Sequence, residues 1–86
     1  MLSKSNITFI ITTYKSEKVI FDCLDSIDDN SKKIIIENSG NYELMCIIKK
    51  KYNNIVYKVM LENVGYGKAN NLGIKMSDTD YVFILN

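Results

Sequence analysis

Short dense apolar runs recur along the chain, and between them apolar residues spread out at helical spacing. The first run, Ile7 to Ile11 within NITFIITTY, is dense in apolar and β-branched residues. That is the pattern of a strand buried on both faces. SEKVIFDCLDSIDDN follows, with Val19, Ile20, Cys23, Leu24 and Ile27 on one helical stripe. Ser16 is placed to cap that helix, and Glu17 falls in its first turn. KKIIIENSG predicts a second strand over Ile34 to Ile36, ending in a polar turn. NYELMCIIKKKY predicts a second amphipathic helix. Asn41 stands at its N-cap, and Lys49 to Lys51 stand at the negative end of its dipole. NIVYKVML alternates, which suits a strand near the sheet edge over Ile55 to Leu61. GKANNLGIKM predicts a third helix with Ala69, Leu72 and Met76 on one face. Gly73 interrupts it, and a packing reason for that glycine is expected. DYVFILN supplies a fourth apolar strand.

The resulting order is βαβαβαβ with short connections. Such alternation implies an α/β domain with a mostly parallel sheet and helices on both faces. One reversal of winding gives the strand order 3-2-1-4. With 86 residues and no linker, repeat or low-complexity segment, residues 1–86 are expected to form a single unit.

Composition narrows the chemistry. The chain is 47% hydrophobic with a net charge of +1, too apolar for disorder and too neutral for a nucleic-acid or membrane surface. All its basic residues are lysines, so no guanidinium fork is available for a phosphate. The absence of histidine removes the commonest general base and metal ligand. No apolar run approaches the roughly 20 residues of a membrane span. Cys23 and Cys46 lie in apolar helical patterns and are expected to be reduced core residues of a cytoplasmic protein.

In an open parallel sheet, ligands bind beyond the carboxyl ends of the strands, near the reversal of strand order. Polar residues gather at each of those exits: Thr12, Thr13 and Tyr14; Glu37, Asn38 and Ser39; Glu62, Asn63, Gly65 and Gly67; and Asn86. Loops are polar anyway, and several of these residues are good caps. Glu37 directly follows three isoleucines and is in no cap position. It suits either a hydrogen bond from a base N–H or ribose hydroxyl, or a solvated strand-end charge. In NVGYGKANN the glycines let the backbone approach a ligand, and the helix start favours a phosphate. Lys68 is either a point charge for that phosphate or a surface lysine. The segment is not a dinucleotide fingerprint. It follows the third strand, Asn70 stands where the third glycine belongs, and TTYKSEK after strand one has no glycine.

Three motifs together resemble the N-terminal half of a family 2 glycosyltransferase of the rhamnosyltransferase-like branch. FIITTYKSEKVIFDCLDSI resembles the family's opening strand, Thr-Tyr turn and first helix, with Thr12 in place of the usual proline. IIIENSG resembles its strand-two end, with Glu37 in place of the usual Asp. ENVGYGKANNLGIKMSDTDYVFILN resembles the segment that runs from its third strand into its metal motif. The resemblance covers nearly all of the chain. It implies a Rossmann-like half of a GT-A fold that binds a nucleoside-diphosphate sugar. Thr13, Tyr14 and Glu37 would frame base and ribose. Asn63, Gly65, Lys68 and Asn71 would shape the ribose and diphosphate side. Asn86 would open the motif that brings Mg²⁺ or Mn²⁺ to the diphosphate.

The resemblance also implies sugar transfer with inversion to a saccharide or lipid-linked acceptor, with the catalytic base lying further along the family's chain than residue 86. On that basis these 86 residues are expected to be a truncated, non-transferring half. Its strand at 80–86 would be a bare edge open to self-association. Two other classes stay in view: a non-catalytic α/β binding module, and another Rossmann-like nucleotide enzyme such as a nucleotidyltransferase.

Overall fold

The computed structural model describes residues 6–85. Four strands alternate with three helices: β1 (Ile7–Thr13), α1 (Glu17–Asp25), β2 (Lys32–Glu37), α2 (Tyr42–Lys51), β3 (Ile55–Val59), α3 (Tyr66–Met76) and β4 (Tyr81–Leu85). The strands form one sheet in the order β3-β2-β1-β4, and every pairing is parallel. This is the α/β fold and the strand order that the pattern predicts.

Because side chains alternate across a strand, each face of the sheet builds its own core. Ile11 and Ile35 pack against Ile20 and Leu24 of α1 and Leu44 and Ile48 of α2. On the opposite face, Ile34 and Ile36 pack against Ala69 of α3, with Leu72 and Met76 beside it. Ile10, Ile35, Ile36 and Ile48 are fully buried. Each such side chain contributes about 1.5–3 kcal/mol of transfer free energy. Gly73 has the packing reason expected of it. A Cβ there would lie 2.6 Å from Ile10 Cγ2, so only glycine lets α3 seat closely on β1.

Local details depart from the sequence pattern in three places. β3 ends at Val59 rather than Leu61, although the Met60 N–H still donates to the Glu37 carbonyl at 2.8 Å. Ser16 occupies the N-cap position of α1 without capping it. Its hydroxyl donates instead to the Tyr14 carbonyl, a competing local bond open to any serine. Cys46 is exposed on α2, contrary to the core position expected of it, whereas Cys23 is partly buried against the core cluster of its face. Asn41, by contrast, caps α2 as predicted, accepting from the Leu44 N–H at 3.0 Å.

Candidate functional site

The carboxyl ends of β1 and β2 deliver Thr13 and Glu37 side by side, because these two residues are register partners. Glu37 is almost fully buried, at 1% exposure, and is therefore not a solvated strand-end charge. Its carboxylate accepts from the Ser39 N–H at 2.9 Å, from the Asn41 N–H at 2.8 Å, and closely from the Ser39 hydroxyl. A buried carboxylate is tolerable only when hydrogen-bonded in this way. Glu37 thus folds the turn between β2 and α2 around itself. A carboxylate has about four lone-pair sites, so one site on Oε1 remains for a further donor.

Two hydroxyls on the same face as Glu37 are buried without a partner. One is Thr13 Oγ1, on a residue only 4% exposed; the other is the Tyr57 phenol of β3. Burial, and then the nearby charges of Glu37 and Glu17, push the Tyr57 phenol well above its usual range. Next along the chain, Tyr14 holds its ring about half exposed, with Lys15 Nζ 5.4 Å from the ring centroid. Lys15 takes φ +50, a left-handed conformation uncommon for a side-chain-bearing residue. Its N–H reaches Ser39 Oγ at 3.4 Å, linking the turns that follow β1 and β2.

Asn38 joins the third segment to this pair. Its N–H donates to the Thr13 carbonyl at 2.8 Å. Its amide donates to the Gly65 carbonyl and accepts from the Val64 N–H, each at 3.4 Å. Gly65 needs its glycine, since it adopts φ +88 at the start of α3. The Asn63 carboxamide accepts from the Gly65 N–H at 2.8 Å, which fixes that turn locally. Lys68 and Asn71 lie exposed on α3. Thr13, Glu37 and Gly65 are therefore tied into one hydrogen-bonded unit. Tyr14, Asn63, Lys68 and Asn71 sit on the solvent side of the segments that surround it.

Asn86 lies outside the described residues. Among the described residues, no group of three or more cysteines and carboxylates could hold a metal ion. They do not make a divalent-cation site by themselves.

Three further residues serve this end of the sheet; the sequence pattern placed Asn38 at a strand exit but gave none of the three a role in the site. Asn38 is the clamp just described. Asn70, 6% exposed, accepts from the Thr12 hydroxyl at 2.8 Å and ties α3 to β1. The usual proline of the family could not donate that bond. A polar residue beside Ala69 and Gly73 on the buried face of α3 was the available signal. Tyr57 is the third, and it carried no signal beyond alternation.

Comparison with known proteins gives this geometry a family. Residues 8–86 match the model of glycosyl transferase family 2. The chain is 34% identical to the poly-beta-1,6-N-acetyl-D-glucosamine synthase of Staphylococcus aureus (strain COL), across 93% of this chain and 21% of that protein. It is 30% identical to the glycosyltransferase GlyA of Streptococcus pneumoniae serotype 4 (strain ATCC BAA-334 / TIGR4), across 95% of this chain and 13% of that protein. The chain thus spans about a fifth or less of the length of these relatives. No solved structure matches it. With the family model matched over almost its whole length, the chain belongs to glycosyl transferase family 2.

Proposed function

We propose that this chain forms the donor-binding half of a glycosyltransferase and holds a nucleoside-diphosphate sugar at the carboxyl end of its sheet. The observation that carries the reading is the hydrogen-bonded unit there. Thr13 and Glu37 stand side by side, and Asn38 fastens the Gly65 turn next to them. Thr13 and Glu37 would meet the base, with the half-exposed Tyr14 ring free to lie against base or ribose. The first N–H groups of α3 favour the diphosphate, and Lys68 adds a mobile positive charge near them. Asn63 and Asn71 line the approach.

In the whole enzyme this half would position the donor for inverting transfer to a saccharide or lipid-linked acceptor, the base coming from another part of the chain. Mg²⁺ or Mn²⁺ at the diphosphate would need ligands beyond the described residues, Asn86 among them. Neither relative is named as a rhamnosyltransferase. Isothermal titration of the 86-residue chain with UDP, dTDP and GDP, with and without Mn²⁺, tests the proposal. At least one of these is expected to bind, and NAD is expected not to. NAD binding alone, or no binding at all, contradicts the reading.

A further inference from the structure

The face that α3 lays on the sheet is nearly all apolar. Ala69 packs with Ile34 and Ile36, Leu72 and Met76 lie beside it, and Gly73 rests on Ile10. Asn70 is the exception. It is 6% exposed, and its carboxamide oxygen accepts from the Thr12 hydroxyl at 2.8 Å. Thr12 directly precedes Thr13 and Tyr14 at the exit of β1, and Asn70 directly precedes Asn71 in α3. Alternation sends the Thr12 and Thr13 side chains to opposite faces of the sheet, so Thr12 serves α3 while Thr13 stands beside Glu37. One buried hydrogen bond thus joins the exit of β1 to the helix that carries Lys68 and Asn71.

Apolar packing holds α3 against the sheet without fixing its place along the strand, because the hydrophobic effect is non-directional. A hydrogen bond is directional, and one of 2.8 Å is lost after a slide of about 1 Å. The other side-chain ties at the start of α3 are longer. The Asn38 carboxamide meets Val64 and Gly65 at 3.4 Å each, near the limit of a hydrogen bond. We propose that Thr12 and Asn70 are positioning residues of the donor site. Their bond sets α3 along β1, and with it the places of Gly65, Lys68 and Asn71 relative to Thr13 and Tyr14.

Such a role separates stability from binding. Removing one partner leaves the other buried and unpaired, which costs stability. Replacing both by apolar groups of similar shape leaves nothing unpaired and is nearly neutral. The apolar pair restores packing but not direction, so α3 loses its fixed register while the fold is kept. Buried polar contacts act this way in helical assemblies, where they set register with no gain in stability.

This rests on the donor-binding reading, and one set of measurements separates the two. Wild type, Thr12→Val, Asn70→Leu, the double variant and Thr12→Ser are titrated with UDP, dTDP and GDP and with uridine, thymidine and guanosine. Each protein is also melted without ligand. The comparison is made on the nucleotide that wild type binds most tightly and on its nucleoside. Both single apolar variants are expected to melt lower than wild type, and the double variant to recover most of that loss. The double variant should nevertheless bind the nucleoside diphosphate about five- to tenfold more weakly, with nucleoside affinity unchanged. Thr12→Ser keeps the hydroxyl and should bind the diphosphate as wild type does. A double variant that regains both stability and diphosphate affinity makes the bond purely structural and overturns the inference. Equal weakening toward nucleoside and diphosphate overturns it too, because the loss is then not confined to the side that α3 carries. Where the double variant does not fold, the serine and valine variants decide: equal diphosphate affinity in the two removes any role for the hydroxyl. If wild type binds none of the three nucleotides, the donor-binding reading fails and takes this inference with it.

Discussion

The two ends of β2 bury opposite charges on the same face of the sheet, and their surroundings differ in kind. At the amino end Lys33 is 1% exposed. Its Nζ donates to the Asp29 carbonyl at 3.1 Å and lies 3.6 Å from the Asp29 carboxylate. Asp29 also accepts from the backbone and side chain of Asn53, and the Asn54 amide donates to its carbonyl. The buried ammonium is held within a network of partnered groups. At the carboxyl end Glu37 is as well satisfied, yet Thr13 and Tyr57 beside it are not. The amino end is complete as a structural knot. The carboxyl end holds hydrogen-bonding capacity that the chain itself does not use. In a family that handles sugar nucleotides, spare capacity at the strand exits is where function is expected.

The largest effect expected from breaking this contrast is at the amino end. Lys33→Ala removes a buried side chain and its contacts to the Asp29 carbonyl and carboxylate. Denaturant titration should show a loss of about 2–4 kcal/mol, with nucleotide affinity unchanged in the protein that remains folded. An equal loss of affinity would mean that the two ends are not independent. Gly73→Ala acts on the opposite face. The added methyl presses on Ile10 Cγ2, offset in part by better helix propensity. The net cost should be about 1–2 kcal/mol in the same measurement.

Smaller in stability and larger in meaning is Thr13→Val, which keeps the shape and removes the hydroxyl. Stability should stay level or rise by up to about 1 kcal/mol, while UDP affinity falls several-fold in calorimetry. A clear drop in stability would show that the hydroxyl already has a partner.

The two ends should also respond to opposite extremes of pH. Hydrogen bonds from the Asn53 backbone and side chain hold the Asp29 carboxyl below its usual range, with Lys33 adding to the effect. A depressed folded pKa gives stability that is present above the ordinary carboxylate range. That stability is lost as pH falls below about 4. The Tyr57 phenol is raised by burial and by Glu37, so its contribution is present below about pH 10 and is lost as pH climbs beyond that. In melting curves across pH, Asp29→Asn should flatten the acid limb and Tyr57→Phe the alkaline limb. A single variant that flattens both limbs would join the two ends into one network.

Much of the fold was legible in the sequence because it rests on local periodicity. The isoleucine runs give the strands, the spacing of Ile20, Leu24, Leu44 and Ile48 gives two helices, and Asn41 marks the start of the second. Gly73 could be flagged as a packing glycine, though not which side chain it meets. What was not legible depends on pairs distant in sequence. Thr12 and Asn70 are 58 positions apart, and nothing in either neighbourhood announces their bond. Glu37 could be singled out by its place after three isoleucines. That its carboxylate would be occupied by the turn directly after it follows from backbone geometry, not from residue type. Cys46 shows the limit of composition, because a cysteine in an apolar pattern can still face solvent.

The central claim is that the unused hydrogen-bonding capacity at the carboxyl end is a nucleotide site. Amide chemical-shift mapping of the isotopically labelled chain with added UDP tests it most directly. Perturbations should concentrate at residues 12–15, 37–41 and 63–71 and leave residues 29–33 and 52–55 unchanged. Perturbations centred on the amino-end knot around Lys33 and Asp29, or none at saturating UDP, would contradict it.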